Sequence, residues 1–358
     1  MPGPFPVAPA VGSAEEEAVL RVLRSGQIAA GPEVAAFEAE FASFVGTERA
    51  VAASSGTAAL QMALVAAGVG PGDEVIVPAL TFIASANAVV ATGAAPVFVD
   101  LEACSFALDL RATEAAIGPR TKAVMVVHLY GIAADLGRLS ELCSERGLML
   151  VEDAAQAHGA SFAGRAVGSW GIGAFSFYAT KNMTTGEGGM VTTNNARIAA
   201  RARSFANHGR AEGDPTGYAH PSFGLNFRMT DIAAAIGRVQ LARLPEANRA
   251  RRALADLLLE VVPTDSRREV PPGVVPVWHL FPLIVDDRDR LAARLREEGV
   301  PTGVFYPAPL YRMARHLRQA SCPIAESLCE RLLCLRLGPY DETTRQRYAE
   351  AVTRAFAP

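Results

Sequence analysis

The chain has 358 residues, half of them hydrophobic and a fifth charged, with 34 Lys and Arg against 37 Asp and Glu for a formal charge of −3. That composition fits a globular chain, excludes a disordered one, and leaves no basic footprint for nucleic acid. The length allows two domains or one large one. Two uncharged stretches, 50–72 and 75–99, are long enough to cross a bilayer. Ser54, Ser55, Thr57, Gln61, Pro78, Thr81, Ser85 and Asn87 interrupt them at turn-like spacing, so buried strand–turn–helix units explain them better and no membrane segment is expected. The Pro-rich first ten residues carry no basic residue and are soon followed by Glu15, Glu16 and Glu17, which does not read as a signal peptide. A cytoplasmic protein is expected. Cys104, Cys143, Cys322, Cys329 and Cys334 form no Cys-x-x-Cys pair, which favours reduced, mostly buried thiols over disulfides or metal ligation.

In chain order, a strand at 49–53 leads into a helix at 57–67, and the turn Pro71-Gly72-Asp73 precedes a strand at 74–78. A helix at 83–92 passes through Gly93 to a strand at 96–100. A strand at 122–128, a helix at 136–146 and a strand at 148–152 follow. Apolar runs at 174–178 and 189–193 sit close together with no helix between them. Strands alternating with helices at this spacing predict an α/β fold with a mostly parallel sheet, whose ligands bind at the carboxyl ends of the strands. Beyond 194 the pattern changes: a helix at 196–204, a long polar loop at 207–227, a helix at 230–244 capped by Thr230 or Asp231, and a charged helix at 246–259. A Pro-rich connector at 261–276, a strand at 277–285 and a helix at 289–298 complete the reading. A boundary is drawn near residue 245, giving a large domain over 1–245 and a smaller α/β domain over 246–358.

Three segments at strand ends carry chemistry. Glu152 and Asp153 end a buried strand, where an isolated acid is usually a helix cap or a core acceptor. Lys181 follows the run Phe175-Ser176-Phe177-Tyr178 and precedes the glycines Gly186, Gly188 and Gly189. An amine held close to protein there loses water, and its lowered pKa makes it a Schiff-base nucleophile. Ser54-Ser55-Gly56-Thr57 joins a strand to a helix whose free amides and dipole suit a phosphate. Each signal is weak alone. Together they are a phosphate cradle, an acid for a pyridinium nitrogen and an imine-forming amine, the parts that hold pyridoxal 5'-phosphate. No glycine-rich nucleotide fingerprint is present, which argues against a nicotinamide-dependent oxidoreductase. His128, His208, His220, His279 and His316 have no metal-ligand spacing and read as structural or loop residues, and Glu187 as a turn acid; no metal is expected.

With these motifs placed, the chain resembles the DegT/DnrJ/EryC1/StrS sugar aminotransferases of the aspartate-aminotransferase fold, fold type I. The match is carried by SSGTAAL at 54–60, PGDEVIVPALTFIAS at 71–85, GAAPVFVD at 93–100, VHLYG at 127–131, VEDAAQAHGA at 151–160, FSFYATKNMTTGEGG at 175–189 and GLNFRMTDIAAAIG at 224–237. The resemblance implies that Lys181 forms the Schiff base with the cofactor and then shuttles protons. It implies that Asp153 binds the pyridine nitrogen, Gln156 contacts the ring hydroxyl side, Phe82 stacks on the ring, and Gly56, Thr57 and Ser176 hold the phosphate. Asn226 would reach the cofactor of a neighbouring subunit, making a homodimer necessary. Lys181, where some members carry His, favours transamination over deoxygenation. The implied reaction passes an amino group from glutamate or glutamine to a keto sugar, most often nucleotide-linked, by a ping-pong route, with His158, Arg228, Tyr306 and the 207–223 loop as candidate substrate contacts. A cyclitol or other non-nucleotide ketone, and a non-catalytic cofactor-binding regulatory protein, remain alternatives. Two departures bear on the acceptor: Phe305-Tyr306-Pro307 stands where the family often has His-Tyr-Pro, and Leu335-Arg336-Leu337 where Leu-Pro-Leu is common.

Overall fold

The computed structural model describes every residue except 1–3, 8, 103–104, 212, 214–215, 269 and 358. Two helices, α1 (Ser13–Ser25) and α2 (Pro32–Val45), precede an alternating run. That run is β1 (Arg49–Ala53), α3 (Gly56–Ala66), β2 (Glu74–Pro78), α4 (Ile83–Ala91), β3 (Ala95–Val99), α5 (Leu110–Ala116), β4 (Thr121–Val127), α6 (Leu136–Glu145) and β5 (Met149–Asp153). A two-residue hairpin, β6 (Ser161–Phe162) and β7 (Arg165–Ala166), leads to β8 (Ile172–Ser176) and β9 (Gly189–Thr193). The seven-stranded sheet has the order β1-β9-β8-β5-β4-β2-β3. Its strands are parallel except β9, which runs against both β1 and β8. The missing helix between the apolar runs at 174–178 and 189–193 is therefore a hairpin. A direct return to the neighbouring strand needs no crossover, and it leaves the loop 177–188 at the carboxyl end of β8.

After α7 (Ala196–Ala206) the polar loop returns to the sheet, where Ser54 N donates to Phe227 O at 2.8 Å. The chain then enters one helix, α8 (Asp231–Val261), N-capped by Thr230, whose hydroxyl accepts from Ala233 N. This corrects the two helices expected at 230–244 and 246–259: Pro245 lies inside α8. The helix persists through its proline because its buried face continues across it. Leu241 and Leu244 pack into the core beneath the sheet, and Leu254, Ala255 and Leu258 into a second core at the C-terminal end. That second core also takes Phe5, which meets Tyr348 edge-on at 4.9 Å, so the N-terminal segment packs with the C-terminal elements.

The connector carries β10 (Val274–Val275), which pairs with β6, and the strand expected at 277–285 is the shorter β11 (Leu280–Ile284). The rest comprises α9 (Arg288–Glu297), β12 (Thr302–Gly303), α10 (Leu310–Met313), α11 (Pro323–Arg331), β13 (Leu332–Arg336) and α12 (Glu342–Phe356). Among these β13 is the centre of an antiparallel sheet ordered β11-β13-β12. Cys143, Cys322, Cys329 and Cys334 are buried free thiols, and Cys104 lies outside the described residues. Among the described residues no helix is long and apolar enough to cross a membrane.

The aromatic centre under the sheet is Phe41 of α2, fully buried, with ring centroids 5.0 Å from Phe175 and 5.3 Å from Phe177. Those two strand-end rings flank Ser176 and lead directly into the loop bearing Lys181. Truncating Phe41 leaves a cavity that rigid strands cannot collapse to fill. Phe41→Ala is expected to lower unfolding stability by about 3–5 kcal/mol, read from the chemical-denaturation midpoint. A shift below 1 kcal/mol would show that the cluster does not support the strand end.

Candidate active site

The carboxyl ends of β1, β2, β5 and β8 open into one cavity of about 450 Å³, within the range of small-molecule sites. Its lining includes Gly56, Thr57, Phe82, Asp153, Gln156, Ser176, Lys181 and Tyr306. Seven residues expected in cofactor binding or catalysis, and one expected at the substrate, are thus brought together from segments far apart in the chain.

Successive residues of a strand face opposite ways, and at the end of β5 this separates two adjacent acids. Glu152 is fully buried and accepts hydrogen bonds from Gly168 N at 2.7 Å and from Trp170 N and Gly171 N, both at 2.8 Å. His128 Nδ1 accepts from Ala134 N, so Nε2 carries the proton and donates to Glu152 at 3.2 Å. Glu152 is therefore a structural acceptor that ties the turn before β8 to the sheet. Asp153 points into the cavity instead. Its carboxylate accepts from the Ser85 hydroxyl at 2.7 Å and from Ala155 N at 3.2 Å, while Thr81 Oγ1 lies 3.1 Å from Ser85 Oγ. Burial raises the Asp153 pKa, against the opposing pull of the Ser85 and Ala155 donors and of Lys181.

Lys181 sits in the β8–β9 loop, whose turn is closed by Phe177 N donating to Gly188 O and Thr185 N donating to Phe177 O. Burial brings its amine down to about 8, although Asp153 pulls the other way. Desolvation is the larger effect, so much of the amine is unprotonated slightly above neutral pH. The neighbouring Asn182 locks the loop: its amide donates to Asn248 Oδ1 of α8 and to Val277 O, and its oxygen accepts from His279 Nδ1 at 3.2 Å.

On the opposite wall Ser55 caps α3, its hydroxyl accepting from Ala58 N, and the first-turn residues Gly56 and Thr57 line the cavity. A Cβ at Gly56 would lie 2.5 Å from Ser176 Cβ, and one at Gly189 would lie 2.3 Å from Ser55 O. Only glycine lets the helix start close against β8, and the amides of Gly56 and Thr57, ahead of the one that Ser55 caps, suit an anion. Phe82 exposes half of its ring and lies 5.8 Å from Tyr306. Gln156 is anchored, accepting from Tyr130 N at 2.7 Å, and its amide lies 3.5 Å from the Tyr306 hydroxyl.

Three expected residues are elsewhere. His158 is fully buried with its ring against Phe175 and Phe177, and it is not part of the cavity lining. Burial and the Lys181 charge bring its imidazole down to about 3, with the Ser176 backbone working the other way, so it stays neutral. The expected substrate contact at His158 is thus a core side chain beneath the lysine loop. Asn226 is exposed and Arg228 half-buried, with Arg228 Nη1 donating to Asn207 Oδ1 at 2.7 Å; neither lines this chain's own cavity.

The cavity also holds residues that sequence reasoning did not place there. Thr81, Glu187, His279, Phe305 and Arg336 line it, and Ser85 acts one layer behind. Ser85 ends the quoted PALTFIAS motif, a polar residue in an apolar run, and Arg336 marked a departure from Leu-Pro-Leu. His279 had no local signal, because its role comes from Asn182 nearly a hundred residues earlier. Among the described residues no cluster of three or more His, Cys, Asp or Glu could hold a metal ion.

Comparison with known proteins agrees with this geometry. The profile of the DegT/DnrJ/EryC1/StrS aminotransferase family matches residues 9–353. The chain is 43% identical over 336 residues to dTDP-3-amino-3,4,6-trideoxy-alpha-D-glucose transaminase of Streptomyces venezuelae, covering 91% of this chain and 88% of that protein. It is 41% identical over 325 residues to UDP-N-acetyl-3-dehydro-alpha-D-glucosamine 3-aminotransferase of Acidithiobacillus ferrooxidans, covering 89% of this chain and 87% of that one. Among solved structures it is similar to S. venezuelae DesV in complex with a ketimine intermediate, with a TM-score of 0.90, 41% identity, and coverage of 96% and 95% of the two chains.

The opposed effects on Lys181 give a test that needs no substrate. Amine labelling at Lys181, followed against pH by mass spectrometry of the cofactor-free protein, is expected to be half-maximal near pH 8. Asp153→Asn removes the charge that holds the proton on, so its midpoint moves lower still. A wild-type midpoint in the ordinary lysine range, about 10, would refute desolvation at this site.

Proposed function

The chain belongs to the DegT/DnrJ/EryC1/StrS aminotransferase family, and from that membership we propose that it loads pyridoxal 5'-phosphate on Lys181 and transfers an amino group from glutamate or glutamine to a nucleotide-linked keto sugar. The observation that carries this reading is the placement of Lys181 and Asp153 in one cavity with the glycine-tight start of α3. The residues fit the cofactor on three counts. The free first amides of α3 suit its phosphate, a buried carboxylate its ring nitrogen, and a partly deprotonated amine its aldehyde.

The bound cofactor supplies an electron sink for the carbon at which the amine is exchanged. The chain supplies the rest. Gly56, Thr57 and Ser176 bind the phosphate. Asp153, held in place by Ser85 and Ala155, keeps a proton on the ring nitrogen opposite. Phe82 covers one face of the ring, and Gln156, fixed by Tyr130 N, stands at the ring hydroxyl side. Lys181 Nζ takes and returns the proton at the reacting carbon, a task for which an amine near pH 8 is suited. Leu280, Leu337 and Phe305 wall the cavity with apolar surface that keeps water from the exchange.

Asn226 and Arg228 belong to the partner's site in this reading. Phe227 between them is tied to Ser54, and the same loop exposes Tyr218 and Phe223 at 83% and 77%. Large bare rings beside the exposed Asn226 are what a homodimer interface would cover.

Purified protein with added pyridoxal phosphate is expected to show a yellow absorbance band that borohydride fixes covalently, with no such adduct in Lys181→Ala. Absence of the band in the wild type would overturn the reading. Shared sites predict complementation as well. Lys181→Ala and Asn226→Ala are each expected to be impaired, and mixing them regains activity because each mixed dimer contains one site with both residues intact. No recovery on mixing would place Asn226 outside the partner's site.

A further inference from the structure

Arg251 lies on α8 where that helix meets the end of β13, and only 1% of its surface is exposed. Nη1 of its guanidinium donates to the carbonyl of Leu337. Nε and Nη2 are buried, and among the described residues they have neither a hydrogen-bond acceptor nor an acid to pair with. Other arginines that reach into the protein meet carboxylates: Arg238 meets Glu33 and Glu40, Arg203 meets Glu38, and Arg243 meets Glu15. Arg251, more deeply buried than any of these, meets none. Burial brings its pKa down only to about 10, so at neutral pH a full charge is held out of water without a counter-charge.

The unpartnered atoms form one edge. Nε and Nη2 are the side of a guanidinium that grips an anion with two parallel N–H bonds, and Nη1 is the nitrogen left for the Leu337 carbonyl. The buried Tyr340 hydroxyl is a third polar atom without a partner among the described residues, and its ring lies within the field of Arg251. Burial holds this phenol up at about 12 against the pull of Arg251 and Arg336, so it keeps its proton and can donate. The surroundings are tight and largely apolar. The Tyr340 ring is 5.8 Å from Tyr348 and 6.0 Å from Phe5, and a Cβ at Gly338 would lie 2.4 Å from both the Pro6 carbonyl oxygen and the Tyr340 ring.

We propose that Arg251 and Tyr340 form a buried site for one small monovalent anion of the halide class, such as chloride. A halide accepts from any direction, which suits a guanidinium edge and a single hydroxyl that offer donors and no acceptor. A divalent oxyanion such as sulfate would shed far more hydration on entering an apolar setting, and only one guanidinium would be there to compensate it. The anion supplies the counter-charge that Arg251 otherwise lacks. It also joins three parts of the chain: α8 through Arg251, the turn after β13 through Tyr340, and the N-terminal segment that Phe5 and Pro6 pack onto that turn. Neither Arg251 nor Tyr340 lines the candidate active site, so this site is separate from it and holds whatever reaction that cavity performs. Leu337, whose carbonyl Arg251 grips, does line the cavity, and the ion braces that wall from behind.

The test is thermal unfolding of the full chain, with pyridoxal phosphate present, as chloride replaces gluconate at constant ionic strength in the wild type, Y340F and R251M. Both substitutions keep most of the side-chain volume and remove donors. An anion bound only by the folded protein raises the unfolding midpoint, by about 2–3 °C once chloride is about ten times its dissociation constant. The wild type is expected to show this rise, R251M to lose it, and Y340F to lose part of it. Bromide-soaked crystals of the wild type are expected to show an anomalous peak between Arg251 and Tyr340. No rise in the wild type overturns the proposal. So does an equal rise in all three proteins, which marks a general salt effect. An ordered water at the guanidinium edge with no anomalous peak there overturns it as well. If R251M does not fold, Y340F and the bromide map still decide.

Discussion

Lys181 and Asp153 share one cavity whose walls take both partly out of water, and that desolvation moves both toward neutrality, the amine down and the carboxyl up. Their attraction and the Ser85 and Ala155 donors oppose this without reversing it. A site in this balance is ready for a cation at Asp153 and an electrophile at Lys181, and a protonated ring bearing an aldehyde brings both. Much of the surrounding structure can be read as support for this pair: the Thr81–Ser85 hydroxyls behind the acid, and the Asn182–Asn248–His279 bonds behind the amine.

Backbone proximity is the second requirement. The cavity exists because α3 begins against the end of β8, and that approach is possible only with no side chain at Gly56 and Gly189. Reversing one strand contributes as much. Since β9 pairs antiparallel with β8, the connecting loop turns back at the carboxyl edge of the sheet, where a crossover helix would have carried the lysine away.

The helix α8 links the two halves mechanically. It packs into both cores, supplies Asn248 to the lysine loop and Arg251 to the strand that ends in Arg336, and is continuous through Pro245. One wall of the cavity thus comes from the parallel sheet and the other from β11, β13 and the segment at Phe305.

Local pattern was enough for most of the alternating strands and helices from residue 49 to 206, though it did not read α1, α2 or α5. Strand ends were read within a residue or two, because buried parallel strands are short apolar runs bounded by turns. The proline at 245 misled because helix breaking is a local propensity, whereas the buried stripe from Leu241 to Leu258 is a tertiary fact. Apart from the family resemblance, nothing in the sequence distinguished Glu152 from Asp153. Strand alternation, with the amides of Gly168, Trp170 and Gly171 waiting on one side and Ser85 on the other, gave them different roles. His158 sat inside a quoted motif but beneath the cavity, since proximity in sequence does not say which side of a turn a ring takes. By itself, then, the sequence determined the α/β order and the family and singled out Lys181 and Asp153, all carried by short contiguous motifs. The tertiary structure alone decided what Glu152 holds in the core, that His279 and Arg336 line the cavity, and that Asn226 and Arg228 do not line their own chain's cavity, because each depends on contacts between segments far apart in the chain.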